Sequence, residues 1–122
     1  MLKLTYCLVR KPGMSREDFQ RHWLQTHGPL VKAAKEALLI RRYVQMHTGD
    51  VPPPGGDRPG LGTDDYDGVA QLWWDSLDDV AKSGESEEGR RHAAILAEDE
   101  AKFIDFTRSR LFWGEEHVIF DR

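Results

Sequence analysis

Two histidines in the stretch 19–29, FQRHWLQTHGP, are the side chains best suited to move a proton. An imidazole titrates near pH 6.5, so His22 and His27 have the chemistry to take up and return a proton close to neutrality. A carboxylate is the usual partner that orients such a ring, and the run Glu98-Asp99-Glu100 offers three. On helical spacing Asp99 lies about 20° from the direction of His92, in a stripe that continues through Leu96, Phe103 and Phe106. One of the three acids is therefore expected to turn inward, Asp99 before Glu98 or Glu100. In this reading His27 is the general base and acid, and Asp99 orients an imidazole. His22 hydrogen-bonds the substrate or shapes the pocket. Trp23, Tyr66 and Trp73, with Trp74 as its competing neighbour, supply the walls. The same residues argue against a zinc site, because two histidines five apart diverge by roughly 140° on an α-helix, unlike the i, i+4 pair of a zinc protease. No nucleophile triad is evident, and the GxG at Gly60–Gly62 lacks the strand-then-helix context of a nucleotide loop.

Local signals say how these residues would be held. Ser15, three residues before Asp18, reads as the N-cap of a helix that puts Phe19, Trp23 and Leu30 on one face, with His27 roughly 40° round. Pro29 disfavours a helical Gly28 and cannot donate to the ladder, so the helix is expected to end at His27. The negative end of the dipole would then favour a protonated imidazole. Pro29 would open a second helical piece through Ala37. Strands are expected over 2–10, 39–48, 66–74 and 113–120, from apolar alternation. Strands 1 and 3 are apolar on both faces, and adjacent Trp73 and Trp74 must point to opposite sides. Small Gly68 and Ala70 leave room on one face for a ligand or a closely packed helix. On the second strand Tyr43 and His47 either line a polar-aromatic surface or meet solvent. Ser76 and Ser86 read as caps of two later helices. Residues 49–65, with four prolines and five glycines, form a long loop.

The element order β-α-β-loop-β-α-β is that of an α+β, ferredoxin-like domain: a four-stranded antiparallel sheet with helices on one face. The doubly apolar strands then ask for a second copy over the open face, as a homodimer.

Phe19, His22, Trp23, His27, Gly28 and Pro29 together resemble the signature of the EthD family. The resemblance continues through YDGVAQLWWDS at 66–76 and EDEAKFIDF at 98–106, and lapses only in the central loop. It implies one domain over 1–122, built as a dimeric α/β barrel. It also implies a role in degradation pathways or polyketide tailoring without an organic cofactor.

Composition narrows the rest. The chain has 122 residues, enough for one core, and a formal charge of −4 with both signs interspersed, unlike a nucleic-acid protein. No apolar run has membrane length, and no signal-peptide pattern opens the chain. The single cysteine, Cys7, excludes an internal disulfide and reads as a small hydrophobe in the first strand. A cytoplasmic protein is expected. What remains is proton-transfer chemistry, that is isomerisation, dehydration, decarboxylation or cyclisation of a flat, aromatic or lactone substrate; the resemblance implies that it runs without an organic cofactor and extends to polyketide-like substrates. Two rivals are a non-catalytic accessory protein for a neighbouring oxygenase and, because related barrels include haem enzymes, a haem protein.

Overall fold

The computed structural model describes residues 1–51, 54–56 and 66–122. Most of the expected loop 49–65 lies outside them. Strand β1 (Leu2–Leu8) leads to α1 (Arg16–His22), a π-helical segment (Trp23–His27) and α2 (Gly28–Ala34). Strands β2 (Arg42–His47) and β3 (Gly68–Trp74) follow, then α3 (Leu77–Glu85), α4 (Glu87–Glu100) and β4 (Arg110–Glu115). The strands form one antiparallel sheet in the order β2-β3-β1-β4, the ferredoxin-like arrangement. All three expected caps are made. The hydroxyls of Ser15, Ser76 and Ser86 accept from the backbone N–H of Asp18, Asp79 and Gly89. Among the described residues no helix is long and apolar enough to cross a membrane.

Pairing decides which side chains share a face, because directly opposed residues point the same way. Leu4 faces Leu72 and Trp113, Tyr6 faces Ala70 and Leu111, and Tyr43 faces Leu72. These residues belong to the helix side, with Gln45, His47, Gly68 and Trp74. Two apolar clusters fill the space beneath the helices. One joins Leu4, Val31, Ala34, Leu38, Ile40 and Trp74, and the other joins Leu8, Phe19, Trp23, Ala70, Phe103 and Ile104.

Three local expectations are corrected. The helix does not end at Gly28-Pro29. Gly28 is helical at φ −52°, ψ −50°, and the chain continues through Ala34 before five turn residues lead to β2. The last strand is Arg110–Glu115 rather than 113–120. Its partner β1 begins at Leu2, opposite Glu115, so no backbone remains for later residues to pair with. Val118, Ile119 and Phe120 are accordingly exposed. The second strand starts at Arg42 rather than Leu39, which takes a left-handed φ of 57° in the preceding turn.

Candidate active site

The helical insertion explains how two histidines five apart serve one site. In the π segment the Gly28 N–H donates to the carbonyl of Trp23, five residues back. A turn that closes over five residues brings side chains five apart to the same side. Pro29 gives the cause: it has no N–H, and its ring would crowd the Gln25 carbonyl in a regular α-helix. The sheet secures the widened turn. The Gln45 amide donates to Trp23 O at 2.9 Å and to the Tyr43 hydroxyl at 2.8 Å, while its oxygen accepts from His47 Nε2 at 2.8 Å.

Asp99, in the last turn of α4, receives both histidines. His27 Nδ1 lies 2.8 Å from Oδ2, and His22 Nε2 lies 3.0 Å from Oδ1. An ionised carboxylate only accepts, so both ring nitrogens are donors. His27 and Asp99 are 6% and 4% exposed, and His22 is half-buried. Phe103 lies against both imidazoles, with ring centroids 5.2 Å from His27 and 4.7 Å from His22. Burial lowers the His27 pKa, and the hydrogen bond and charge of Asp99 only partly oppose it. The helix end expected to favour a charged His27 is absent, so the ring is neutral at pH 7, with Nδ1–H held by Asp99. Its Nε2 makes no hydrogen bond among the described residues and is not sealed from accessible space. It is the nitrogen free to act.

His27 lines a cavity of about 280 Å³ between the helices and the sheet. Trp23, Tyr6, Tyr43, Trp74 and Glu100 share the wall, and the rest of the lining is aliphatic, with no Lys or Arg. Burial pushes the hydroxyls of Tyr6 and Tyr43 up to about 12, so both stay protonated donors. Glu100 is also withdrawn from water. Its burial, and next the charge of Asp99, raise its pKa to about 7.

Of the three expected wall residues, Trp23 lines the cavity and Trp73 and Tyr66 do not. Trp23, 1% exposed, packs so closely over Gly68 that an added Cβ there would come within 2.4 Å of its ring. The room expected beside Gly68 is thus filled by Trp23, and His47 stacks on that ring at 4.5 Å. Trp73 does not share the cavity. It lies on the opposite sheet face between Lys3 and Arg42, and its indole N–H donates to Glu116; Trp74 is the wall residue. Tyr66 precedes β3, its carbonyl accepts from the Thr48 hydroxyl, and it does not line the cavity. Sequence reasoning missed Tyr6 and Glu100 as site residues. The alternation Leu4-Tyr6-Leu8 could have found Tyr6.

A second buried carboxylate, Asp67, was also missed. It is 0% exposed and accepts from the Arg10 N–H at 2.7 Å, Arg10 Nη1 at 2.7 Å and Arg16 Nε at 2.9 Å. Among the described residues no group of three or more His, Cys, Asp or Glu is arranged to hold a metal ion.

A ferredoxin-like sheet with a histidine-carboxylate cavity under its helices defines the class of this domain. The chain belongs to the EthD family, whose domain model matches residues 11–107. It is similar to an EthD family protein of Bacillus halodurans known from a crystal structure, at 21% identity and a TM-score of 0.62, over 96% of this chain and 99% of that one. Among curated relatives it is 29% identical to the decarboxylase claH of Passalora fulva, over 96% of this chain and 78% of that protein. It is 25% identical to the dehydratase ustZ of Ustilaginoidea virens, over 93% and 82% respectively.

Proposed function

We propose that this chain is a small-molecule enzyme that works by proton transfer between its own side chains and an aromatic, polyketide-like or lactone substrate. Decarboxylation is the first reaction to test, and dehydration, isomerisation and cyclisation use the same chemistry. The observation that carries the reading is the neutral His27 imidazole at the cavity wall, fixed at 2.8 Å by buried Asp99. A ring so held keeps one tautomer, and the carboxylate stabilises the imidazolium formed when Nε2 takes a proton. His22 holds the other Asp99 oxygen and so fixes the carboxylate. A mostly apolar, partly open space of this size suits a flat molecule of one or two rings. The names of the curated relatives support carboxylate loss or water loss.

The test compares wild type with His27→Ala on benzoylacetate and a panel of aryl β-keto acids and butenolides. CO2 release, product mass and deuterium uptake in D2O are followed. Turnover in wild type that drops about 10³-fold in the variant, with circular dichroism unchanged, supports the reading. Equal turnover removes His27 as the base. Ligand bound by both proteins without turnover or exchange leaves an accessory binding protein.

The working unit is proposed to be a homodimer through the sheet face away from the helices. Met46 and Phe112 on that face are 56% and 58% exposed, and the long side chains of Lys3 and Arg42 lie over the Trp73 ring beside them. Light scattering on wild type and Phe112→Glu checks it: a dimer that the variant turns into monomer is expected, and a monomeric wild type removes it.

A further inference from the structure

We propose that Glu100 is the second catalytic residue of this cavity: a neutral carboxylic acid that hands its proton to the substrate oxygen while His27 serves the neighbouring carbon. The inference rests on the proton-transfer reading above and assigns its missing acid. Asp99 and Glu100 are adjacent in the last turn of α4, where the helix carries no basic side chain and its dipole opposes negative charge. They are treated in opposite ways. Asp99 is tied to two imidazoles, with Lys102 3.9 Å away. Glu100 makes no side-chain hydrogen bond or ion pair among the described residues, yet no side-chain polar atom there is buried without a partner. Its oxygens therefore reach accessible space, and it lines the cavity.

The groups facing Glu100 add no positive charge. Tyr6 on β1 and Tyr43 on β2 both feel its charge, and Asp99 repels it from beside it on α4. His27, which lines the same cavity, is neutral at pH 7, and β4 contributes Leu111. The acid keeps its proton up to about pH 7, while burial pushes the imidazole that lines the same cavity toward its neutral form. Two groups whose surroundings push their proton affinities apart are suited to act as an acid and base pair.

For a β-keto carboxylate the step balances as follows. The bond to the carboxylate carbon breaks, and its electron pair passes through a new C=C bond to the carbonyl oxygen. That oxygen takes the Glu100 proton, CO2 leaves, and an enol remains beside the Glu100 carboxylate. In the return half His27 gives the carbon a proton it has taken from water, and the enol oxygen returns its proton to Glu100. One solvent proton is consumed per turnover, and both side chains are restored.

The experiment uses the full chain, with Glu100→Gln and His27→Ala beside wild type, and benzoylacetate as probe. Wild-type kcat is expected to fall as pH rises through about 7, where Glu100 loses its proton. Glu100→Gln keeps the shape but has no acidic proton, so kcat falls about 10²-fold with KM little changed, and the alkaline limb disappears. Carboxyl-carbon NMR, with Glu100 assigned by its loss in the Gln variant, gives the second readout. A midpoint near 7 is expected, and one below about 5 overturns the proposal whatever the activity. Equal turnover in wild type and Glu100→Gln, with His27→Ala dead, overturns the role of Glu100 and leaves the proton-transfer reading standing. No turnover of any panel member by wild type removes that reading and the role of Glu100 with it.

Discussion

Asp67 and Glu100 are two carboxyls withdrawn from bulk water by one small domain, and the fold treats them in opposite ways. Asp67 sits where the end of β1, the start of α1 and the start of β3 meet, and it accepts three hydrogen bonds from Arg10 and Arg16. Burial alone would raise its pKa, but those bonds outweigh burial and hold the carboxyl below the usual range. Glu100 has no such partner, so burial prevails and the proton stays until about pH 7. Cations are concentrated where chain segments must be locked together and are absent from the cavity lining. A buried carboxylate with all its partners is a structural tie. A half-buried carboxyl without partners on a cavity wall is held ready to release a proton.

The largest expected effect is on the chemical side of that contrast. Asp99→Asn keeps an acceptor for His22 but can present an N–H where His27 Nδ1–H now donates, which disturbs the tautomer. A loss of about 10³ in kcat is expected, about 4 kcal/mol on the barrier, with little change in urea midpoint. A variant as active as wild type would show that the imidazole needs no orienting partner. Asp67→Ala tests the structural side. It leaves two partly exposed guanidinium groups to find water, for a cost of about 3 kcal/mol in unfolding free energy and no change in kcat of the surviving folded protein. The pH dependence has a definite sign. A depressed carboxyl pKa stabilises fully above the unfolded value of about 3.9, and that stabilisation is lost as pH falls through the folded value. The urea gap between wild type and Asp67→Ala should therefore narrow in acid, and a gap of constant width at pH 7 and pH 3 would contradict the ion cluster.

Gly68→Ala falls between the two. The added methyl would meet the Trp23 ring and the Met46 carbonyl at 2.4–2.5 Å, so ring or backbone must shift. About 2 kcal/mol of destabilisation is expected in urea, together with weaker substrate binding, because Trp23 also lines the cavity. Unchanged stability would mean that the indole is free to move.

What was legible from the residues was what is local. Alternation placed four strands in the right order, and three serine caps started their helices where expected. The inward turn of Asp99 followed from helical spacing, and its pairing with an imidazole, though not with which one, from their chemistry. What was not legible depends on partners distant in the chain. Pro29 says locally that the helix stops, and only the π turn, secured by Gln45 from β2, lets it continue. The end of β4 is set by where β1 begins. The choice between Trp73 and Trp74 needs the sheet's facing, which pairing alone decides. Glu100 looked like a solvated neighbour of Asp99. Yet the last turn of α4 is flanked by histidines on one side and the cavity on the other, so two successive acids both point inward.

The smallest effect separates the two carboxyls without any substrate. A Glu100 pKa of about 7 in the folded chain, against about 4.3 unfolded, means that folding favours the protonated form. Its contribution is neutral below about pH 4 and turns increasingly unfavourable as pH rises toward 7, the reverse of the Asp67 sign. Glu100→Gln removes that titration. Relative to wild type the variant should gain about 1.5 kcal/mol between pH 4.5 and pH 8, less than the full shift implies because the carboxyl retains some water. Paired thermal melts at the two pH values read the difference directly. A wild type and variant that run parallel would mean that Glu100 ionises like a surface acid, leaving Asp67 as the perturbed carboxyl of the pair.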